Sequence, residues 1–449
     1  MSVHTRSCLS ACSLGIFLLG VYSGAGAAAD PEKEAMKAEM RELKQRLGEL
    51  EERLGEKEAA PAPAAAEAGL PEWLNSIELH SFLSVGYVYN FNDPDSNINT
   101  QRFFDARHNS FRFDDFQFSL LRAAKDPGSV GFRFDMDVGS SIPRVIHSVG
   151  LFENEVDPVT GGLDPTDIDI RQAFVSYNAP LGNGLTIDFG KYITHFGLEV
   201  IEGWQGFNDN YSRSYDFAFA IPFTHTGIRA IYPISDQLSV MAMVANGWDT
   251  VDDPNDSKGY GGQIGFFPME GVSLYLNYLG SPEPQALDPD NDDDWRHLFG
   301  FTWVVKPLPS TLPDFTFSGT YDYGFEENFD VSLTASDDVE WHAFEGVLRY
   351  DFTPWFYLAL RGEWMDDEDG VRIIPCLSGA GCAVAPAFAP GVGQRVWALT
   401  LTPTFKIGEH VVVRPEVRYD KSTEAVFEDE GGGFEDNQTT LGVNAIYSF

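Results

Sequence analysis

The sequence predicts an all-β protein, a transmembrane antiparallel up-and-down β-barrel of about 16 strands, preceded by a short N-terminal α-helical coiled coil. Three observations support this fold class. Runs of about ten residues with alternating apolar and polar side chains recur from residue 73 to residue 449. The connections between these runs alternate between short and long. The chain also holds 35 Phe and 17 Tyr, far too many aromatic side chains for a disordered acidic protein.

Composition excludes two classes of protein. The 449 residues include 68 acidic and 30 basic side chains, a net charge of −38. A nucleic-acid-binding protein needs a basic surface for phosphate, so this class is excluded. The only markedly apolar run, Leu14–Tyr22, is too short to cross a bilayer as a helix. A helical membrane protein is therefore excluded, whereas a β-barrel needs no such run.

The segment before the barrel begins with features of a secretory signal. Arg6 supplies positive charge, Leu14–Tyr22 supplies the apolar centre, and residues 25–29 are small. Residues 1–29 are therefore predicted to be a signal peptide, with Asp30 at the start of the mature chain.

Residues 30–58 have the heptad pattern of a coiled coil. The apolar side chains recur at intervals of four and three residues and form the predicted seam: Met36, Met40, Leu43, Leu47, Leu50 and Leu54. In a parallel pairing Glu39 meets Lys44 and Arg46 meets Glu51, which favours self-association. A single amphipathic helix lying on the barrel rim is the open alternative. Residues 59–72, rich in Pro and Ala, are predicted to be a semi-extended tether.

Residues 73–449 are predicted to form the barrel. The alternation is clear at Phe132, Phe134 and Met136, which face away from Arg133 and Asp135. The predicted strands are 77–91, 111–123, 130–139, 168–179, 185–193, 225–232, 238–248, 259–267, 272–280, 295–305, 315–325, 339–350, 355–366, 395–406, 411–419 and 439–449.

The connections distinguish a barrel from a soluble sandwich, which can show the same alternation. Every second connection is short and most of the others are long, an arrangement typical of outer-membrane barrels. The eight long connections hold 37 of the 68 acidic residues but only 7 of the 30 basic residues. An even number of strands places both chain termini on the side of the short turns, which is the periplasm.

Cys376 and Cys382 are separated by five residues. In an oxidising compartment this spacing predicts a small disulfide loop. A pair of metal ligands is the alternative interpretation, but no further Cys or His lies close in the sequence.

A barrel of about sixteen strands is too wide for its own side chains to fill, so the interior is predicted to hold water unless a loop intrudes. The polar side of the strands supplies ten candidate pore-lining residues of both charges. They are Arg133, Asp135, Asp137, Arg229, Arg349, Arg361, Glu363, Arg414, Glu416 and Arg418. Ion pairing on the wall and a path for charged solutes are both open.

The longest connection, residues 194–224, is predicted to fold into the barrel and narrow it. It carries many large apolar side chains, among them Phe196 and Trp204, which would be poorly soluble if exposed. Packing over a subunit interface is the alternative. Its charged and titratable side chains are candidate constriction residues: His195, Glu199, Glu202, Asp209, Arg213 and Asp216.

The block from Gly190 to Trp248 is the most specific part of a family resemblance. It reads GKYITHFGLEVIE at 190–202 and continues through NYSRSYDFAFAIPFTHTGIRAIYPISDQLSV to NGWD. With FDARHNSFRFDDFQFSLL (104–121) and the closing AIYSF, it resembles the outer-membrane β-barrel porins of the OmpL-like group. The N-terminal coiled coil is similar to the start of some phosphate-selective porins, whose channels carry Arg and Lys ladders.

This resemblance implies a porin of the Gram-negative outer membrane that lets small hydrophilic solutes and ions diffuse passively, with no cofactor. The alternative is a substrate-selective channel, for example for anions or phosphate. An envelope tether anchored by a barrel and an outer-membrane enzyme using Ser212 or Ser214 with His195 or His225 are further hypotheses. The expected partners are outer-membrane lipid, lipopolysaccharide and other copies of the chain, as a trimer.

Overall fold

The computed structural model describes residues 76–146, 167–253, 255–283, 291–306, 314–332, 335–373 and 391–449. The predicted signal peptide, the coiled-coil seam and the tether lie outside the described residues. The predicted disulfide between Cys376 and Cys382 lies outside them as well.

Sixteen strands form a closed barrel in which each strand pairs with its antiparallel neighbours. The first pairs with the last, for example through Phe82 and Ser448. The barrel strands are β1 (Glu78–Asn90), β2 (Ser110–Arg122), β3 (Val130–Val138), β4 (Ile168–Ala179), β5 (Leu185–Ile193), β6 (Thr224–Ser235), β7 (Leu238–Ala245), β8 (Gly259–Phe266), β9 (Val272–Pro282), β10 (Trp295–Val305), β11 (Phe315–Ser332), β12 (Ala335–Thr353), β13 (Phe356–Asp367), β14 (Gln394–Ile407), β15 (Val411–Ser422) and β18 (Asn437–Ser448).

Three small elements lie in the long connections. Helix α1 covers Ile142–Ile146, and a π-helical turn covers Asp216–Ala220. A small hairpin pairs two strands of two residues each, β16 (Phe427–Glu428) and β17 (Phe434–Glu435). Neither helix in the described part of the chain is long and apolar enough to cross a membrane.

The sixteen predicted strands are confirmed in number and order. The largest difference in bounds is at β11 and β12, which continue past the predicted ends at 325 and 339 to Ser332 and Ala335. The sequence signal is lost there because acidic residues, such as Glu326 and Glu327, occupy both faces of the strand. Backbone pairing continues where side-chain alternation has ended.

The two faces of the barrel differ as the alternation predicts. Large apolar side chains such as Leu401, Val417 and Leu441 are paired across β14, β15 and β18 and are exposed on the outside. An apolar outer face is what a barrel presents to lipid. The inner face carries buried polar groups, among them Arg414 and Arg418.

The barrel has one end with short turns and one with long loops. At the short-turn end β6 and β7 are joined across Ser235 and Leu238, and β12 and β13 across Thr353 and Phe356. The first barrel strand begins at this end, and the last barrel strand ends there. At the opposite, long-loop end, β5 and β6 are joined by residues 194–223, which we call the inner loop.

Candidate functional site: the barrel interior

The inner loop begins and ends at one point of the barrel wall. Its first residue, Thr194, donates a backbone hydrogen bond to the carbonyl of Phe223, at 2.9 Å. From there the loop reaches wall residues on widely separated strands. Its backbone at Trp204 donates to Gln117 of β2 (3.1 Å), and its carbonyl at His195 accepts from Gln263 of β8 (3.2 Å). Since these partners face inward around the ring, the loop lies inside the barrel.

Four ion pairs connect acidic side chains of the inner loop to arginines. Glu199 lies 2.6 Å from Arg361 of β13, and Glu202 lies 2.6 Å from Arg414 of β15. Within the loop, Arg213 contacts Glu202 at 2.9 Å. Near the short-turn end Asp209 contacts Arg349 of β12 at 3.1 Å.

The arginines of β13 and β15 also bind the loop backbone. Arg361 donates to the carbonyl of Ser212 (2.6 Å), and Arg414 donates to the carbonyl of Asn208 (2.6 Å). The planar guanidinium group, with five N–H donors, suits this combination of carboxylate and carbonyl partners. Glu416 of β15 completes the arrangement, since it accepts the backbone N–H of Tyr211 at 2.7 Å.

Burial and these partners set the protonation of the loop side chains. Burial alone would raise the pKa of Glu202, but Arg213 and Arg414 together lower it below its ordinary value. Glu202 is therefore a carboxylate held between two guanidinium groups. Burial, reinforced by the neighbouring His225, lowers the pKa of His195 to about 3, so His195 is neutral.

The structure places the ten candidate pore-lining residues in two groups. Three are half-buried at the edge of the open interior: Arg133, Arg229 and Arg349. Seven are buried: Asp135, Asp137, Arg361, Glu363, Arg414, Glu416 and Arg418. The expectation that these seven border open water does not hold, because wall neighbours or the inner loop cover them. Alternation shows which face a side chain is on, and not whether water reaches it.

An apolar core inside the barrel packs the inner loop against part of the wall. The inner loop contributes Phe196, Phe217 and Phe219, all nearly inaccessible. The wall contributes Leu298 of β10 and Trp341 of β12, whose indole donates to the carbonyl of Ala220 at 3.1 Å. The other members come from the loop, the wall and the long connections: Phe104, Ile142, Val145, Ile146, Tyr192, Ile201, Tyr215, Ala218, Ala220, Ile221, Phe223, Met241, Met243, Leu279, Val339, Ala343, Met365, Val371, Ile373, Val396 and Ala398. The loop is thus packed as a core is packed, with its aromatic residues against apolar wall residues.

The tip of the inner loop reaches the short-turn end of the barrel. A tight turn pairs Gly203 with Gly206. Between them, Trp204 stacks on His80 of β1 with ring centroids 3.7 Å apart. Beside it, Phe207 packs on Phe82, which lies opposite Ser448 near the end of the chain. The loop therefore extends along most of the interior.

The accessible interior lies mainly on two parts of the wall. A cavity of about 110 Å³ lies between the loop tip and the wall, lined by Gln117, Arg133, Arg171, Gln172, Ile193, Val200, Ile201, Gly203, Gln205 and Gly206. Nearer the short-turn end, inward-facing side chains of β7–β9 are half-exposed and uncharged, namely Ser239, Gln263, Ser273 and Tyr275. Sequence reasoning missed Gln117, Gln263 and Asn444 as interior contacts, since an isolated uncharged polar residue gives no charge signal.

The side chains of the enzyme hypothesis are dispersed. Ser214 hydrogen-bonds to Glu199 and Glu345, while Ser212 bonds to Arg361. His225 bonds to Thr194 and to the carbonyl of Gly247. Among the described residues, neither Ser212 nor Ser214 is hydrogen-bonded to a histidine ring. This arrangement lacks the contact that activates a serine nucleophile.

Several solved structures align with this chain, three of them as follows. OprB of Pseudomonas putida aligns with a TM-score of 0.52 at 13% identity, covering 84% of this chain and 96% of that chain. The outer membrane channel DcaP of Acinetobacter baumannii gives 0.49 at 13% identity, with 83% and 97% covered. The anion-selective porin from Comamonas acidovorans gives 0.49 at 10% identity, with 83% and 99% covered. At 13% identity, the likeness to OprB shows the barrel fold alone.

Among curated proteins none matches the chain in sequence. A family model described as "Putative beta-barrel porin-2, OmpL-like" matches residues 76–449. This match spans all sixteen barrel strands and the inner loop, and it agrees with the resemblance carried by residues 190–248. The chain therefore belongs to the OmpL-like family of outer-membrane β-barrel porins.

Proposed function

We propose that this porin is a narrow passive channel whose width is set by the inner loop, with the candidate constriction residues acting as its anchors. The observation that carries this proposal is the docking of the loop. Glu199 and Glu202 are neutralised by Arg361 and Arg414 while the loop aromatics fill the apolar core. A loop held by buried ion pairs on one side and by packing on the other restricts the interior to small solutes.

The charges beside the open interior favour weak ion selectivity. Arg133 lies 2.7 Å from Asp135, and Arg229 lies 2.9 Å from Asp188. Arg349 has a partner as well, since it lies 3.1 Å from Asp209. Pores selective for phosphate or other anions are lined by rings of Arg and Lys, whereas each of these three arginines has a carboxylate beside it. Small hydrophilic solutes and ions of both signs are therefore the proposed cargo.

Planar-bilayer recording of the purified protein tests this function. We expect small stepwise conductance increments and a reversal potential close to zero in a salt gradient. A strong anion preference would replace the general channel with the selective one. Absence of conductance steps, with the barrel shown to be folded by circular dichroism, would overturn the channel itself.

Assembly as a homo-trimer, in contact with outer-membrane lipid and lipopolysaccharide, is proposed from the sequence. The predicted seam over residues 30–58 would bring three chains together at the periplasmic face, where each barrel begins. The barrels would supply the local concentration that a short coil lacks. Deleting residues 30–58 should leave folded, conducting barrels that dissociate at a lower temperature in mild detergent. Equal dissociation temperatures would contradict this role for the helix.

A further inference from the structure

The π-helical turn of the inner loop places a carboxyl group against the wall with no cation beside it. Asp216 is 1% exposed, and neither of its carboxyl oxygens has a hydrogen-bond donor among the described residues. Asp322 of β11 faces it within hydrogen-bonding range, and Glu345 of β12 is the next acidic neighbour. Both of these wall residues are fully buried.

The nearby arginines are committed to other partners. Arg361 of β13 binds Glu199 at 2.6 Å and Glu363 at 3.1 Å. Arg418 of β15 binds Asp420 at 2.7 Å and Glu363 at 3.3 Å. The elements around Asp216 therefore present Asp322, Glu345, Glu363, Glu199 and Asp420 against these two guanidinium groups and that of Arg102, which binds Asp420 at 2.9 Å. Carboxylates outnumber cations in a site that water does not reach.

Hydrogen-bond geometry points to protons within this cluster. The hydroxyl oxygen of Ser214 lies 3.1 Å from Glu199 and 3.0 Å from Glu345, yet it has one hydrogen to donate. One of these two contacts therefore needs a proton on the carboxyl side. Asp322 accepts from Thr320 at 2.7 Å, which leaves its other oxygen facing the loop. Two ionised carboxylates cannot share such a dry site, but a carboxyl and a carboxylate can.

We propose that Asp216, Asp322 and Glu345 form a proton-dependent latch that holds the inner loop against the wall. Each proton in the cluster converts a repulsion between the loop and the wall into a hydrogen bond. No group of His, Cys and acidic side chains in the described part of the chain has an arrangement suited to a metal ion.

The direction of the pH effect follows from the loop residue. Burial, with the charges of Asp322 and Glu345 added, raises the pKa of Asp216 well above its usual range. A carboxyl group whose pKa is raised on docking binds its proton more tightly in the docked loop. Docking is then strongest at acidic pH and weakens as pH rises from the ordinary carboxyl pKa towards the raised value. That this loosening widens the channel rests on the proposed function.

Hydrogen–deuterium exchange of residues 214–220 in the full-length protein tests the latch without relying on conduction. After correction for the intrinsic rate, protection should be lower in an alkaline than in an acidic buffer, falling by up to about tenfold per pH unit for each proton released. Asp216→Asn and Asp322→Asn each replace an ionisable group by a neutral one, so both should reduce this dependence. The control Glu327→Gln, at an exposed acid of β11, should leave it unchanged.

Three results would overturn the latch. They are equal protection at both pH values in the wild type, an undiminished pH dependence in both asparagine variants, or protection that follows added Ca²⁺ or chelator instead of pH. Bilayer recordings on the same samples separate the two proposals. A pH-dependent loop in a barrel that never conducts would contradict the porin function and leave the latch standing. Conduction by a barrel whose loop protection does not change with pH would contradict the latch and leave the porin function standing.

Discussion

Two parts of the barrel wall contact the inner loop in different ways. The charged wall, formed by β13 and β15, holds the loop through Arg361, Arg414 and Glu416. The uncharged wall, formed by β7–β10, contacts it through apolar residues such as Leu298 and through the small Gly300. Arg296 lies at the long-loop end of β10. From there to the short-turn end, the inward positions described on β7–β10 carry neither an acidic nor a basic side chain.

The comparison shows that polarity does not decide which wall is wet. Arg361 and Arg414 are fully buried, whereas the uncharged Gln263 and Ser273 are half-exposed near the short-turn end. The charged wall is dry because the loop covers it, and its charges are satisfied by loop carboxylates and carbonyls. The uncharged wall makes fewer polar contacts with the loop and leaves space beside it.

The largest expected effect comes from breaking the charged wall. Arg361→Met would leave Glu199 buried without a cation, and Glu363 with only its longer contact to Arg418 (3.3 Å), at a cost of about 3–5 kcal/mol. We expect the loop to detach, seen as loss of exchange protection over residues 199–215 and larger conductance steps. Arg395→Met is the control, because Arg395 is exposed at the rim and its ion pair with Asp366 is screened by solvent. Equal effects of the two variants would contradict the anchoring role.

A comparable but smaller effect is expected from a cavity in the uncharged wall. Leu298→Ala removes a fully buried side chain from the core and should destabilise the barrel by about 2–5 kcal/mol, depending on how far the core relaxes. Thermal unfolding in detergent measures it. Leu276→Ala, at an exposed outward position on β9, is the matched control and should shift the unfolding temperature little. A larger shift in unfolding temperature for Leu276→Ala than for Leu298→Ala would show that the stabilising core does not lie on the inner face.

Adding volume at the same place should displace the loop. A Cβ atom on Gly300 would lie 2.4 Å from Asp322 and 2.9 Å from Phe196. Gly300→Ala should therefore cost about 1–3 kcal/mol, with part of the loss recovered when Phe196→Ala is added. Gly362→Ala, where a Cβ would meet nothing within 4 Å, is the control. Unfolding temperatures of Gly300→Ala, Phe196→Ala, the double variant and Gly362→Ala decide whether Phe196 occupies this position.

The smallest effect concerns the open interior. Arg349 is half-buried, and its guanidinium group stacks 3.8 Å from the ring of Tyr357. Arg349→Gln should change stability by less than about 1 kcal/mol, since its ion pairs are partly solvated. It leaves Asp209 and Asp351 without this partner, so the reversal potential in a salt gradient should shift towards cations. A shift towards anions would contradict the placement of Arg349 beside the path.

Strand number and order were predictable because the bilayer imposes a period-2 pattern on every strand. The outward Leu399, Leu401 and Val417 follow that pattern directly. The period-2 pattern ends where the bilayer no longer constrains the strand, as at Glu326 and Glu327 of β11. The sequence therefore underestimates the length of this strand.

The interior was less predictable, for a physical reason. Alternation placed Arg361 and Arg414 on the inner face, but their burial depends on a loop more than 140 residues away in sequence. The sequence around these two arginines gives no sign of a contact with so distant a segment. The aromatic content of residues 194–224 did indicate a loop that needs cover, whereas the partnership of Asp216 with Asp322 left no trace in either segment.

Excision of the inner loop tests the central claim, that this loop sets the width of the channel. Because Thr194 and Phe223 are hydrogen-bonded at 2.9 Å, residues 195–222 can be replaced by a short Gly/Ser linker without separating β5 from β6. Single-channel recordings of the folded variant should show conductance steps several times larger than those of the wild type, with less discrimination by solute size. Steps of the same size in both proteins would show that the loop does not restrict the path, and would contradict the account.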